Sequence, residues 1–276
     1  MTDVVENPSS SAGCSCYFEA QHQQHAHPAM RALEQSVLGC NYGGTSWTTR
    51  EQADQICSLL ELTHDTHLLE IGAGSGWPGL HLSESSGCQI SLVDLPVSAL
   101  QIALERAKDE NIGHRCQAIA ANGIALPFQS AIFKAIEHSD VLCCLPEKLE
   151  FLMECHRVSS SDAKMLFYVI APAENLDEQQ LKTALEVGPP FVGVPDDYPS
   201  LLSQSGWQID KRVDVTADYL SAINRFVDGL RSDQLNLETL MGKQEYKDQL
   251  KQRLHQIEAL QQGMLVREMF LVSPAI

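Results

Sequence analysis

Basic side chains are scarce in this chain. Nineteen Lys and Arg against 36 Asp and Glu leave a net charge of −17, which repels a phosphate backbone and an anionic bilayer alike and argues against nucleic-acid or membrane partners. Long apolar runs are missing too. The longest, Met165 to Ala173, is far short of the roughly 20 residues that a membrane-spanning helix needs. Met1-Thr2-Asp3 through Glu6 has neither the basic nor the apolar region of an export signal, so a cytoplasmic protein is expected. With 17 Gly and 12 Pro in 276 residues, 44% of them hydrophobic, the composition is that of a globular protein with a sizeable core and one or two domains.

Nine cysteines without an export signal read as free thiols in a reducing compartment. The pattern that competes with this is Cys14-Ser-Cys16 followed by His22, His25 and His27, residue types that hold zinc or copper at close spacing. The surrounding segment is rich in Ser, Gln and His and poor in apolar residues that could fix ligand geometry. Residues 1–28 are therefore expected to form a flexible tail, and no metal is expected.

A helical period begins near Pro28 with Met30, Leu33, Val37 and Leu38 and stops at Gly39. Asn41 to Thr49 reads as a loop, with Thr48 or Thr49 capping a helix that carries Ala53, Ile56, Leu59 and Leu60. Residues 29–62 thus form N-terminal helices and a loop ahead of the first strand. From residue 67 strands and helices alternate: strands at 68–71, 88–93, 116–120, 133–138 and 164–171, helices at 98–108 and 146–158. That rhythm predicts an α/β fold with a doubly wound parallel sheet. Two further strands are expected at 207–215 and 267–273, and 216–263 between them reads as a helical insert. In the insert, Leu220, Ile223, Val227 and Leu230 repeat at helical steps, a stripe read chiefly as core and alternatively as the surface of a homodimer.

The densest signal is Glu70-Ile71-Gly72-Ala73-Gly74-Ser75-Gly76, a strand passing through a glycine loop into a helix. Such a loop presents backbone N–H groups and a helix N-terminus to a polar ligand. Asp94 ends the next strand, where a carboxylate accepts hydrogen bonds from both ribose hydroxyls, so the ligand is expected to be a nucleoside. A dinucleotide site wants a small residue where Trp77 stands, and Glu70 suits a cation better than a pyrophosphate. No Lys-Ser or Lys-Thr follows the glycines, which excludes a Walker loop.

These residues closely resemble the first two motifs of class I S-adenosylmethionine-dependent methyltransferases, whose cofactor carries an ammonium and a sulfonium. The resemblance continues in Ala121-Asn122-Gly123-Ile124-Ala125-Leu126-Pro127-Phe128 and in Ser139-Asp140-Val141-Leu142. It implies a Rossmann-like seven-stranded sheet with a reversed final strand over residues 29–276, and methyl transfer to an N, O or C atom of a small molecule. It also implies that S-adenosylmethionine is held by Glu70, Gly72, Ala73, Gly74, Gly76, Asp94, Leu95, Asn122, Gly123, Ser139 and Thr48. Trp47 and Asp140 are the expected substrate contacts. His138, then Tyr42, are the candidates for removing a proton from the acceptor. A non-catalytic protein that binds S-adenosylmethionine or S-adenosylhomocysteine is the alternative. Three departures stand out: Asn122 and Lys134 where the family usually has Asp, and Ser161-Asp162-Ala163 for the usual Pro-Gly-Gly turn.

Overall fold

A computed structural model describes residues 11–275, and side chains from residue 18 onward. The apolar runs become seven strands of one sheet: β1 (His67–Ile71), β2 (Gln89–Asp94), β3 (Cys116–Ala120), β4 (Phe133–Ser139), β5 (Ser159–Pro172), β6 (Trp207–Asp214) and β7 (Leu265–Pro274). Their spatial order is β3-β2-β1-β4-β5-β7-β6. Strands β1 to β5 pair in parallel, whereas β7 runs antiparallel to both β5 and β6 and is the reversed final strand. Side chains alternate across the pleat, so Leu69, Ile71, Ile136 and Phe167 enter one core and Leu68, Ile90, Leu92 and Leu166 the other. Two buried faces explain why these strands read as continuous apolar runs.

Helices cover both faces: α1 (Ser11–His25), α2 (Pro28–Leu38), α3 (Arg50–Leu59), α4 (Gly79–Ser86), α5 (Val97–Asp109), α6 (Lys148–Val158), α7 (Glu178–Val187), α8 (Tyr198–Gln204), α9 (Thr216–Ser232), α10 (Gln234–Met241) and α11 (Lys243–Gln261). No helix among the described residues is long and apolar enough to cross a membrane. Local chemistry sets the ends. Helix α2 starts on Pro28 and stops where Gly39 turns left-handed, and α3 opens on a capping box in which Thr49 and Gln52 exchange hydrogen bonds. In the insert, Ile223, Val227 and Leu230 of α9 are buried together with Tyr219 and Ala222, and α9 packs on α2 and α11. That stripe is core of this chain and is not free to form a homodimer.

One expectation is corrected. Residues 11–25 form α1, which packs against α2 and α5, instead of a flexible tail; the side chains of Cys14 and Cys16 lie outside the described residues. Cys143 and Cys144 sit in a short 3-10 turn, Leu142–Cys144, ahead of α6. The unusual residues at the start of β5 have a simple explanation. Ser161, Asp162 and Ala163 continue the strand, and Asp162 pairs with Lys134 on β4 at 3.4 Å, so two of the departures face each other.

Candidate active site

Strand β1 ends at Ile71, and the chain reverses through Gly72 (φ 74°) and Gly74 (φ 51°). Gly72 N–H and Ala73 N–H both donate to the Val93 carbonyl, at 2.8 and 3.1 Å, which ties the loop to β2. Gly72 admits no side chain, because its φ is positive and Val141 occupies the place of a Cβ. The Asp94 carboxylate accepts from Gly74 N–H and Leu95 N–H, both at 2.7 Å, so two backbone donors aim it. Burial nonetheless pushes its pKa up to about 6.

A cavity of about 870 Å3, its open mouth included, lies at the carboxyl edge of the sheet where the strand order reverses between β1 and β4. This is where open α/β sheets bind ligands, and the size falls in the usual range. Of the residues singled out in the sequence, Gly72, Asp94, Leu95, Asn122, Gly123, Ser139 and Asp140 line it. Asn122 Oδ1 already accepts from Ile124 N–H at 3.1 Å, holding its loop in a turn. Glu70, Ala73, Gly74, Gly76 and Thr48 are not on the wall. Glu70 is buried below the loop, its Oε1 accepting from Gly79 N–H at 2.9 Å at the start of α4, and it faces Glu137 on β4, its register partner. It therefore shapes the loop from behind and does not meet a cation in the cavity. Thr48 is fully buried and accepts from Arg267 at 3.1 Å, and its carbonyl accepts from the Trp77 indole at 2.8 Å.

The roof was not foreseen. Phe18 and His22 of α1, one turn apart, close the cavity over the glycine loop, and the His22 ring packs so tightly on Gly74 that a Cβ there would lie 2.6 Å from Cε1. Burial lowers the His22 pKa to about 4, leaving a neutral imidazole, and its Nδ1 is buried without a hydrogen-bond partner. The signal was the spacing of Phe18, His22 and His25 on one helix face, masked by the polar composition around it.

A second cavity, about 610 Å3 with its mouth, adjoins the first and shares Phe18, Thr45, Ser139, Asp140 and Cys144 with it. Its far walls come from Trp47, from Pro189 and Pro190, and from Tyr219, Gln252, Arg253 and Gln256 of the insert. Lys148 steadies the proline segment by donating to the Phe191 carbonyl at 2.6 Å. The Asn41 to Thr49 loop is anchored along its length: Gly43 and Gly44 N–H donate to Glu34 at 2.6 and 3.1 Å, and Trp47 N–H donates to Asp140 at 2.9 Å.

The proposed proton acceptors do not reach either cavity. His138 is fully buried, stacked on Phe167 at 4.7 Å and edge-on to Phe151 at 5.0 Å, with its pKa driven down to about 3 by desolvation. Tyr42 packs on Trp77, lies under Arg106 at 4.1 Å, and donates to Glu110; burial and that carboxylate raise its pKa. Asp140 does face both cavities, yet its oxygens are saturated. Arg267, wholly buried on β7, grips it through Nε and Nη2 at 2.9 Å each, and Ser46 Oγ adds a donor at 3.1 Å to that of Trp47 N–H. Nothing in the pattern around Arg267 announced this: with Glu268 it is one of two adjacent charges in an otherwise apolar strand, and it is held by Asp140, Gln52 and Thr48 and flanked by Tyr168.

Comparison with known proteins sharpens this geometry. Residues 69–167 match the family described as a methyltransferase domain. That match and the methyltransferases among the relatives and solved structures support a class I S-adenosylmethionine-dependent small-molecule methyltransferase. It is 23% identical over 195 residues to the 27-O-demethylrifamycin SV methyltransferase of Amycolatopsis mediterranei (strain S699), spanning 68% of this chain and 71% of the relative. A Haemonchus contortus phosphoethanolamine N-methyltransferase 2, solved with phosphomonomethylethanolamine and S-adenosylhomocysteine, shares the fold with a TM-score of 0.75 at 14% identity, over 94% of this chain and 60% of that one. The 4+2-cyclase SpnF matches over 97% of both chains with a TM-score of 0.73 at 15% identity. The methyltransferase-domain match and neighbours solved with S-adenosylmethionine or S-adenosylhomocysteine make S-adenosylmethionine the cofactor, and the first cavity suits that molecule. It offers the Asp94 carboxylate for a ribose, apolar Ile71, Ile124 and Phe151 for a ring, and the buried His22 Nδ1 for a polar group.

Proposed function

We propose that this methyltransferase acts on a small molecule seated in the second cavity and transfers the methyl group to it across the wall formed by Ser139 and Asp140. The observation that carries this reading is the continuity of the two cavities at the carboxyl end of β4. Asp94, Leu95, Asn122, Gly123, Ser139 and the His22 roof are assigned to the cofactor. Trp47, Tyr219 and the α11 side chains are assigned to the acceptor. Free thiols at all seven described cysteines support a reducing, cytoplasmic setting.

S-adenosylmethionine, when bound, would supply an electrophilic methyl group that an acceptor nucleophile takes in line as the carbon–sulfur bond breaks and neutral S-adenosylhomocysteine leaves. The protein's task is then mainly alignment, since holding reacting atoms about 3 Å apart accounts for much of the rate in such a step. Two features serve it. The Arg267 grip on Asp140 fixes the shared wall, and Phe18 with His22 shields the cavity from water. No unengaged carboxylate or imidazole lines the second cavity among the described residues, so the nucleophile is one that reacts without a protein base: a neutral amine, or an oxygen or carbon already ionised.

Fold alone does not establish methyl transfer, as the cyclase with the same architecture illustrates. The test is incubation with methyl-deuterated S-adenosylmethionine and a small-molecule extract, followed by mass spectrometry. A product heavier by one labelled methyl is expected. Binding of S-adenosylhomocysteine with no labelled product from any extract would leave the non-catalytic alternative.

A further inference from the structure

We infer that the Tyr219 hydroxyl donates a hydrogen bond to an oxygen atom of the acceptor, and that the acceptor is therefore an apolar ring or chain bearing a carbonyl or similar oxygen. This rests on the two-cavity reading above. Tyr219, in the first turn of α9, is 2% exposed and lies on the wall of the second cavity. Its ring is held in place: the Trp47 indole meets it edge-on at 5.4 Å, and the Arg267 guanidinium lies 5.9 Å from its centre. Tyr42 and Tyr246 are also buried, and they donate their hydroxyl protons to Glu110 and to the Leu230 carbonyl. The Tyr219 hydroxyl has no hydrogen-bond partner among the described residues. A buried hydroxyl left unpaired is unfavourable, and an oxygen on a bound acceptor removes that penalty.

Several neighbouring polar groups on this wall are already engaged. Asp140 is gripped by Arg267, Ser46 Oγ donates to Asp140 at 3.1 Å, and Ser139 Oγ donates to Glu137. Gln256 donates through Nε2 to the Val187 carbonyl at 2.9 Å and accepts from Arg253 at 2.8 Å. Ile170, Pro189, Pro190 and Trp47 add apolar wall around them. A fixed donor in such a frame orients a ligand that is otherwise hydrophobic. Burial raises the Tyr219 pKa above that of a free phenol, so the group keeps its proton and serves as a donor, not a base. Its place sets its role. Ser139 and Asp140 line both cavities, whereas Tyr219 lines the second and not the first. It therefore meets the acceptor away from the methyl donor, and it governs which molecule binds and how that molecule is turned.

The experiment uses the protein loaded with S-adenosylhomocysteine and two probes of one shape, acetophenone and α-methylstyrene, which carry a carbonyl oxygen and a methylene group at the same position. Their binding is followed by ligand-observed NMR. Tyr219→Phe should weaken acetophenone about three- to tenfold, the scale of one hydrogen bond, and change α-methylstyrene by less than about twofold. Comparing each probe with its own wild-type value cancels their unequal hydrophobicity. Calorimetry with S-adenosylhomocysteine comes first, and wild type and variant should bind it equally, since the ring and its packing are kept. Equal changes for both probes, no change for either, or binding of the alkene without the ketone would each overturn the proposal and leave the two cavities standing. A variant that loses S-adenosylhomocysteine would also overturn it, by showing that Tyr219 serves the fold or the donor site. If neither probe binds the loaded wild type, or the wild type does not bind S-adenosylhomocysteine, the two-cavity reading itself is refuted.

Discussion

Glu70 and Glu137 are register partners on adjacent parallel strands, 1% and 0% exposed, and each keeps one carboxylate oxygen without a hydrogen-bond partner. Two carboxyl groups in that position do not both ionise. Burial, followed by mutual repulsion, raises Glu70 well above the ordinary range, and burial pushes Glu137 up to about 8. The sign of the effect on stability follows. Between pH 4.5, where a free Glu titrates, and about 8, the native state keeps a proton that the unfolded chain has lost. The unfolded state binds fewer protons there, so stability falls as pH rises, by at most about 1.4 kcal/mol per pH unit for each group, and flattens above that window. Glu137→Gln replaces the protonated carboxyl by an uncharged amide and removes that group's share of the slope. Half of the maximal slope between pH 5.5 and 7.5 makes the variant about 1.4 kcal/mol more favourable, relative to wild type, at the higher pH. Guanidinium unfolding of both proteins at the two pH values is the assay, and any fixed cost of the substitution cancels in the comparison. A stability difference between wild type and variant that is identical at both pH values would refute the picture of a buried carboxyl pair holding a proton.

Three further outcomes are expected. Asp94→Ala should weaken S-adenosylhomocysteine binding by about 1.5 to 3 kcal/mol, the range for hydrogen bonds to a charged group; in the wild type the affinity should fall as pH drops below about 6, where the Asp94 carboxylate protonates, and calorimetry across pH 5 to 8 checks both. His22→Ala, which opens the roof over Gly74, should raise the Kd for S-adenosylhomocysteine severalfold while leaving the unfolding midpoint nearly unchanged; equal affinity would show that α1 does not touch the ligand. Arg267→Met leaves Asp140 buried without its cation and should cost about 3 to 5 kcal/mol of stability in denaturant unfolding, whereas a loss under 1 kcal/mol would show that the pair does not hold the shared wall.

Periodicity placed the elements of this fold well, because a strand buried on both faces must be apolar throughout and each helix carries its own caps. The run Leu68-Leu69-Glu70-Ile71 and the glycine loop identified β1 and its turn, and Asp94 ends β2 on the wall of the first cavity. Depth is what one chain cannot report. His138 and Glu70 look equally exposed in a string of letters, yet strand pairing buries one between phenylalanines and the other against Glu137. Arg267 escaped notice because a charge beside Glu268 in β7 does not say what it holds until Asp140, 127 positions away in sequence, is brought to 2.9 Å. Helix α1 escaped for a different reason: its polar composition reads as unstructured, and only packing against α2 and α5 turns Phe18 and His22 into a roof.

In the proposed function the cavity between the glycine loop and α1 seats the methyl donor with its reactive end toward Ser139 and Asp140. A crystal structure of the protein with S-adenosylhomocysteine tests it most directly. Ribose hydroxyls are expected on Asp94, the adenine between Leu95 and the Asn122 loop, a polar atom of the ligand on His22 Nδ1, and the sulfur facing the second cavity. Density for the ligand beside Arg253, or an adenosyl group that leaves Asp94 without a contact, would contradict it.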